Sequence, residues 1–329
     1  MSAKDKVLEI LNSNKGSYIS GEELASSIGI SRAGIWKNIK TLQKEGYLID
    51  AVTNKGYSLL DNNDVFDEEK IRGYLTIPQN YVDIQILKET ESTNSAAYKL
   101  ALSGAKEGFV IISRKQSLGR GHKGRKFYSP EGSGIYLSLL LRPDNLTLQD
   151  TGFITCMGAA AMCRSLRDVS GKEPGIKWAN DIFLNDKKIC GILTEGALDL
   201  ESGTLDFCVT GCGVNLYPPK DGFPKEISDI AGALFEDYTF DAGSRITAGF
   251  LNHFFEYYEE FKKGNHDSFL NDYRSYSLII GKDILLEIDQ KEHSARVTSI
   301  DDKCRLVVDY ENGHDVHLEP GKGSIKKIL

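Results

Sequence analysis

The sequence predicts an α+β protein of more than one unit, and three observations predict it. At 329 residues the chain is about twice the usual domain size of roughly 150. Its first sixty residues show helical spacing interrupted by tight glycine turns. From residue 67 onward short apolar runs follow one another with few helices between them, a pattern expected of a mixed or antiparallel sheet and not of a doubly wound one.

The first helix is expected over residues 4–12, where Val7, Leu8, Ile10 and Leu11 fall at near-helical spacing. Ser20-Gly21-Glu22-Glu23 reads as a capping box that opens a second helix with Leu24 and Ile28 on its buried stripe, ended by Gly29. Ser31 caps a third, with Ile35, Ile39 and Leu42 on one face and a stop at Gly46. Two short helices joined by a tight glycine turn form a helix-turn-helix pattern. Residues 47–52 and 56–60 add two short strands around Thr53-Asn54-Lys55, a wing with Lys55 at its tip. The polar face offers Ser31, Arg32, Lys37, Lys40, Thr41 and Lys44 to phosphates and base edges; Trp36 reads equally as core or as contact. Asp61-Asn62-Asn63-Asp64 reads as a linker, so residues 1–62 are taken as a winged helix-turn-helix DNA-binding domain.

Strands are expected at residues 82–87, 109–113, 135–141, 182–184, 189–195 and 205–211, and helices at 93–103, 151–168 and 244–262. Among them Gly119-Arg120-Gly121-His122-Lys123-Gly124 spells G-x-G-x-x-G. A dinucleotide fingerprint has to open a helix, whereas this loop runs into Arg125-Lys126-Phe127-Tyr128-Ser129-Pro130, which does not continue as one. Kinase and Walker readings lack their companion motifs. What remains is a flexible loop with Arg114, Lys115, Arg120, Lys123, Arg125 and Lys126, six cations with no acid between Glu107 and Glu131. Such a loop suits an anion, because glycine lets backbone amides approach it and arginine offers paired donors. Phe127-Tyr128 would supply a ring for a base, and Lys177-Trp178-Ala179-Asn180-Asp181 and Lys187-Lys188 supply polar side chains near strand ends.

Composition bounds the function class. With 40% hydrophobic and 26% charged residues the chain is globular, neither disordered nor membrane-embedded. The apolar run at 135–141 is too short to span a bilayer, and the N-terminus lacks a signal-peptide pattern, so a cytoplasmic location is expected. The six cysteines include no C-x-x-C pair and are expected as buried thiols, with no metal site. The net charge of −7 argues against nucleic acid only if evenly spread. Residues 1–62 carry eight Lys/Arg against seven Asp/Glu, so the acidity lies elsewhere.

Read in order, Glu91-Ser92-Thr93-Asn94, Gln116, the loop at 119–126, Lys177-Trp178-Ala179-Asn180-Asp181, Lys188-Ile189-Cys190-Gly191-Ile192-Leu193-Thr194-Glu195 and Gly211-Cys212-Gly213-Val214-Asn215 resemble the bacterial biotin–protein ligases. With the N-terminal reader and Lys55-Gly56-Tyr57-Ser58, the chain is similar to the bifunctional type that is also the biotin operon repressor. The resemblance implies a central mixed-sheet catalytic domain at 67–275 and an SH3-like barrel at 277–329, where strands are expected at 283–288, 295–300, 305–310 and 314–319.

It implies activation of biotin by ATP and Mg²⁺ to biotinyl-5′-adenylate, then transfer to a lysine of the biotin carboxyl carrier protein of acetyl-CoA carboxylase or another biotin-dependent carboxylase. On that pattern Ser92, Thr93, Asn94, Gln116, Arg120, Gly121, His122 and Lys188 bind biotin. Arg120, Arg125, Phe127, Asn180 and Asn215 border the nucleotide, and Arg120, Lys188 and Asp181 carry the catalysis. The loop is expected to order on binding. The adenylate would act as corepressor, promoting a homodimer on operator DNA. Three departures stand out: His122 where the family often has arginine, Ala179 for a frequent proline, and a segment at 321–326 without the common acidic residue. The rival readings are a lipoate–protein ligase and a ligand-sensing transcription factor without ligase activity.

Overall fold

The computed structural model describes residues 2–14, 16–44, 47, 49–60, 67–143, 146–147, 150–199, 201–310 and 314–329. The expected helix stop at Gly46 and the linker at Asp61-Asn62-Asn63-Asp64 lie outside them, as does the side chain of Lys123.

The first unit comprises helices α1 (Ala3–Ser13), α2 (Gly21–Ile28) and α3 (Arg32–Lys44) and a hairpin of β1 (Ile49–Val52) and β2 (Gly56–Leu59). Its punctuation is chemical. The Ser20 hydroxyl accepts the Glu23 N–H at 3.1 Å while the Glu23 carboxylate accepts the Ser20 N–H at 2.9 Å, pairing two otherwise orphaned donors. A second capping box, Ser2 with Asp5, starts α1. Gly29 ends α2 in the left-handed region at φ 80°, and Ser31 accepts the Gly34 N–H at 3.1 Å to open α3. Val7, Leu11, Leu24, Ile35, Ile39, Leu42 and Tyr47 close a separate small core.

The central sheet has seven strands: β3 (Asp83–Leu87), β4 (Phe109–Ser113), β5 (Gly134–Leu141), β6 (Gly175–Lys177), β7 (Asp181–Leu184), β8 (Lys187–Leu198) and β9 (Leu205–Asn215). Their order is β3-β4-β5-β9-β8-β7-β6. Only β3–β4 is parallel and the other pairs are antiparallel, so the expected mixed α+β sheet is found. Helices α4 (Glu68–Tyr74), α5 (Thr93–Leu102), α6 (Thr151–Ser170), α7 (Ala242–Lys262) and α8 (Asp267–Ser275) surround it.

Strand alternation decides which helices cover which face. Val110, Ile112, Leu139 and Leu141 point into the large core shared with α6 and α7. Ile111, Leu140, Phe207 and Val209 point to the other face, where Ala97 and Ala101 of α5 cover them. On that face β9 continues Phe207, Val209, Gly211, Gly213, paired with Glu195, Leu193 and Gly191 of β8 through Val209, Gly211 and Gly213 respectively. Large residues under α5 give way to glycines beyond its N-terminus. That substitution opens the cleft described below.

Five antiparallel strands end the chain: β10 (Asp283–Ile288), β11 (Lys291–Ile300), β12 (Leu306–Tyr310), β13 (His314–Leu318) and β14 (Ser324–Ile328), in the order β13-β12-β11-β10-β14. The Trp178 indole N–H donates to the Cys304 carbonyl at 3.0 Å, tying this sheet to the central one. Sequence reading missed α4, α8, β6 and β14, which are short, and underestimated β8 and β9. No helix of the described residues is long and apolar enough to cross a membrane. All six cysteines are buried and free.

Candidate active site and DNA-reading face

At the N-terminus of α5, against the glycine-bearing end of β8 and β9, lies an open cleft. It is lined by Ser92, Thr93, Asn94, Gln116, Arg120 and Phe127, with Leu137, Gly191, Leu193, Gly211, Cys212 and Gly213 as floor and wall. Two glycines make room for it. A Cβ on Gly211 would stand 2.0 Å from Asn94 Oδ1, and one on Gly213 would stand 2.6 Å from the Phe127 ring. Bare backbone there lets both side chains lie flat against the sheet.

The polar side chains form one connected network. Ser92 caps α5 by accepting the Ser95 N–H. The Gln116 carbonyl accepts from the Thr93 N–H at 2.9 Å and the Thr93 hydroxyl at 3.2 Å, while its amide donates to Ser129 at 2.8 Å. The Asn94 amide donates to the Leu193 carbonyl at 3.1 Å and to Glu195 Oε2 at 2.8 Å, and its oxygen accepts from Ser138 at 2.6 Å. With both N–H donors and one of its two acceptor sites spent on protein, Asn94 braces the cleft wall. Glu195, which sequence reading quoted in a motif without a role, turns its other oxygen to Arg120 Nη2 at 2.7 Å.

The basic loop is not the loose segment its composition suggests. Phe127 N–H donates to the Gly119 carbonyl at 2.9 Å, Gly121 N–H to the Arg125 carbonyl at 2.7 Å, and residues 122–124 make one 3-10 turn. The physical reason is that glycine lets the loop's amides face inward and pair with its own carbonyls. Folded so, the loop lays Phe127 in the cleft and leaves Arg120 and Arg125 exposed. His122 stands elsewhere. Its Nε2 would lie 3.4 Å from a Cβ on Gly321, so the C-terminal segment at 321–326 flanks the loop.

On the far side of Gly191 the Lys188 ammonium and the Asp181 carboxylate pair at 2.5 Å, both part-exposed. A Cβ on Gly191 would fall 3.3 Å from Lys188 Nζ, which puts the ammonium at the cleft's rim. Lys177 joins this cluster: burial pulls its ammonium below the ordinary lysine range, with Asp181 opposing and Lys188 adding to the fall. The motif contained Lys177, but nothing in the spacing singled it out. Asn180 donates to the Ile192 carbonyl at 2.8 Å and Asn215 to the Gly232 carbonyl at 3.0 Å, so both amides hold backbone and lie outside the cleft lining. Thus Ser92, Thr93, Asn94, Gln116, Arg120 and Phe127 come together in the cleft, Lys188 and Asp181 at its rim, and Gly121, His122, Arg125, Asn180 and Asn215 around it.

In the first unit Ile35, Ile39 and Leu42 are buried while Ser31, Arg32, Lys37, Lys40, Lys44 and Lys55 are exposed and Thr41 is half-buried. Trp36 is 56% exposed, which resolves it as a surface aromatic among cations. Arg32 pairs loosely with Glu22 at 3.7 Å, and the Thr41 hydroxyl donates back to the Lys37 carbonyl.

Residues 86–215 match the profile of the Biotin/lipoate A/B protein ligase family, and residues 4–58 that of an HTH domain. The chain is 32% identical over 315 residues to the "Bifunctional ligase/repressor BirA" of Bacillus subtilis, covering 93% of this chain and 94% of that one. It is 35% identical over 202 residues to the protein of that name from Escherichia coli, covering 61% and 60%. Its fold is similar to that of the "Biotin protein ligase from Aquifex aeolicus in complex with biotin and ATP", with a TM-score of 0.62 at 24% identity, over 74% of this chain and 99% of that one.

Proposed function

The chain belongs to the family of bifunctional biotin ligase/repressors, and on that premise we propose that it activates biotin with ATP, transfers it to an acceptor lysine, and represses transcription through its N-terminal unit. The observation that carries the reading is the cleft itself, where a self-closed cationic loop and the Lys188–Asp181 pair face each other across a glycine floor.

In the first step the biotin carboxylate attacks the α-phosphorus of ATP and pyrophosphate leaves. Two anions must meet, so cations have to offset their repulsion and the charge that grows at phosphorus. Arg120 and Lys188 fill that role from opposite rims. Ser92, Thr93 and Gln116 line the end of the cleft that takes the biotin head group, with Asn94 holding the wall behind them. Phe127 offers its ring edge to ligand, and Gly121, His122 and Arg125 form the cover over the adenylate; Asn180 and Asn215 shape the nucleotide border by fixing β8 and the segment at 232.

In the second step the acceptor lysine attacks the acyl carbon and AMP leaves. Asp181, on release from Lys188, takes the proton of the incoming ammonium. Among the described residues no group of three or more His, Cys, Asp or Glu side chains is placed to hold a metal ion. Mg²⁺ would be held mainly by the phosphates of ATP and by water, and would lower their charge.

The acceptor would be the biotin carboxyl carrier protein of acetyl-CoA carboxylase or another carboxylase, in the cytoplasm. The units would be a winged helix-turn-helix at 1–62, a catalytic body at 67–275 and an SH3-like barrel at 277–329. Biotinyl-5′-AMP would promote a homodimer that spaces two copies of α3 along operator DNA.

Incubation with ATP, Mg²⁺, labelled biotin and an acceptor domain tests the enzyme. Label on the acceptor lysine is expected, with Arg120→Ala releasing the adenylate much faster. Transfer of lipoate in place of biotin would overturn the substrate. For the repressor, DNA retention should require biotin and ATP, and Lys40→Ala should lower the salt slope by about 1. Retention that ignores both ligands would overturn it.

A further inference from the structure

We propose that Glu195 is a positioning residue for the activation step: it holds Arg120 at the cleft mouth and anchors that hold to the braced wall through Asn94. The proposal rests on the ligase reading above.

Glu195 sits on the cleft face of β8, opposite Val209 of β9, at a position where the neighbouring residues on that face are apolar or glycine. A carboxylate there needs partners to offset its partial burial, and it divides its two oxygens. Oε2 accepts from Asn94 at 2.8 Å and Oε1 from Arg120 Nη2 at 2.7 Å. Asn94 is itself fixed by Leu193 and Ser138, so the carboxylate cannot swing without breaking a bond at the sheet.

Arg120 is differently placed. It rides on a glycine-flanked loop with its side chain about half exposed. Its other contact outside the loop is a long bond from Nη1 to Ser95 Oγ at 3.3 Å. Guanidinium has five N–H donors and Glu195 uses one. With another on Ser95, the remaining donors stay available to an incoming carboxylate or phosphate, in an orientation set by the sheet. Free rotation of an arginine would otherwise have to be frozen on binding; Glu195 does this beforehand.

The test compares wild type, Glu195→Gln, Ser95→Ala, Arg120→Ala and the double variant Glu195→Gln/Arg120→Ala in formation and release of biotinyl-5′-adenylate. Gln keeps an acceptor for Asn94 and removes the charge that holds Arg120. It should raise KM for ATP and speed adenylate release about three- to tenfold, with kcat changed less than twofold and the melting temperature kept. Ser95→Ala should shift release in the same direction by about twofold; it serves if the Gln variant fails to fold. In the Arg120→Ala background Glu195→Gln should have no further effect. Unchanged or slower release in Glu195→Gln, or the same acceleration without Arg120, would overturn the proposal. Absence of any adenylate from the wild type would instead overturn the ligase reading.

Discussion

Lys70 on α4 is predicted to be the cation on which two units of this protein depend. Its ammonium lies 2.6 Å from Asp241 Oδ1 and 2.7 Å from the Tyr47 hydroxyl, above the Tyr47 and Phe240 rings. Tyr47 belongs to the small core of the first unit, and Asp241, 4% exposed, precedes α7 of the central body. Lys70→Ala leaves the Asp241 carboxylate buried with the Tyr74 hydroxyl at 3.4 Å. Removing one partner of a buried pair costs about 3–5 kcal/mol. Lys70 retains some exposure (15%), so the lower end, ~3 kcal/mol, applies. By the size scaling of thermal unfolding this is roughly 4 °C in Tm for a chain of 329 residues. Denaturant titration measures the loss, and hydrogen exchange across β1 and β2 should rise while label transfer to an acceptor persists. In an Asp241→Asn background the same Lys70→Ala should cost much less, because no buried charge is stranded. A loss under ~1 kcal/mol, or one equal in both backgrounds, would refute the assignment of Lys70 as the shared cation.

Four further outcomes follow from named contacts. Burial pushes the Asp301 carboxyl up, but bonds from Arg305, His317 and the N–H groups of Arg305 and Lys303 outweigh it and hold it at about 2, below its usual 3.8. A lowered value stabilises the fold above about pH 4, and this is lost as pH falls through about 2; with water reaching the site, ~1 kcal/mol is expected to disappear there, and Asp301→Asn should flatten that part of an acid titration. Gly211→Ala drives a methyl against Asn94 and should destabilise by roughly 1–3 kcal/mol and weaken biotin binding in calorimetry, whereas an unchanged affinity would mean the brace is dispensable. Burial pushes the Cys163 and Cys208 thiols up to about 12 and Cys190 well above its ordinary value, so an aromatic disulfide reagent at pH 8 should stay unreacted until the protein is unfolded. Trp36 is exposed and Trp178 only 7% so; iodide should quench Trp36, bound DNA should protect it, and Trp36→Ala should weaken operator binding.

What the sequence disclosed and what it withheld divide along physical lines. Caps and turns are local, since a Ser and a Glu three residues apart can satisfy each other's backbone without help from the rest of the chain. Hence α2 and the Gly29–Ser31 turn were legible. The long apolar strands were legible too, because burial on both faces writes them as continuous runs. The short helices α4 and α8, which lack such a capping box, were lost: they bury few side chains each, and their stability comes from packing on α7 and α6 that no local pattern announces.

The candidate site shows the same division at the level of single residues. Arg120 stood out because six cations crowd a glycine loop with no acid among them, whereas Thr93 and Gln116 entered only through the resemblance to the biotin–protein ligases. The distinction between Asn94 as ligand contact and Asn94 as brace was not available there. It depends on Gly211, Ser138 and Glu195 arriving from strands β9, β5 and β8, each more than forty residues from Asn94 in the chain. A net charge of −7 conceals the same thing: acids such as Glu195, Asp181 and Asp241 each stand against a particular cation. Those pairs, made only by folding, fix where Arg120 and Lys188 hold their charge at the cleft and where Lys70 joins the first unit to the central body.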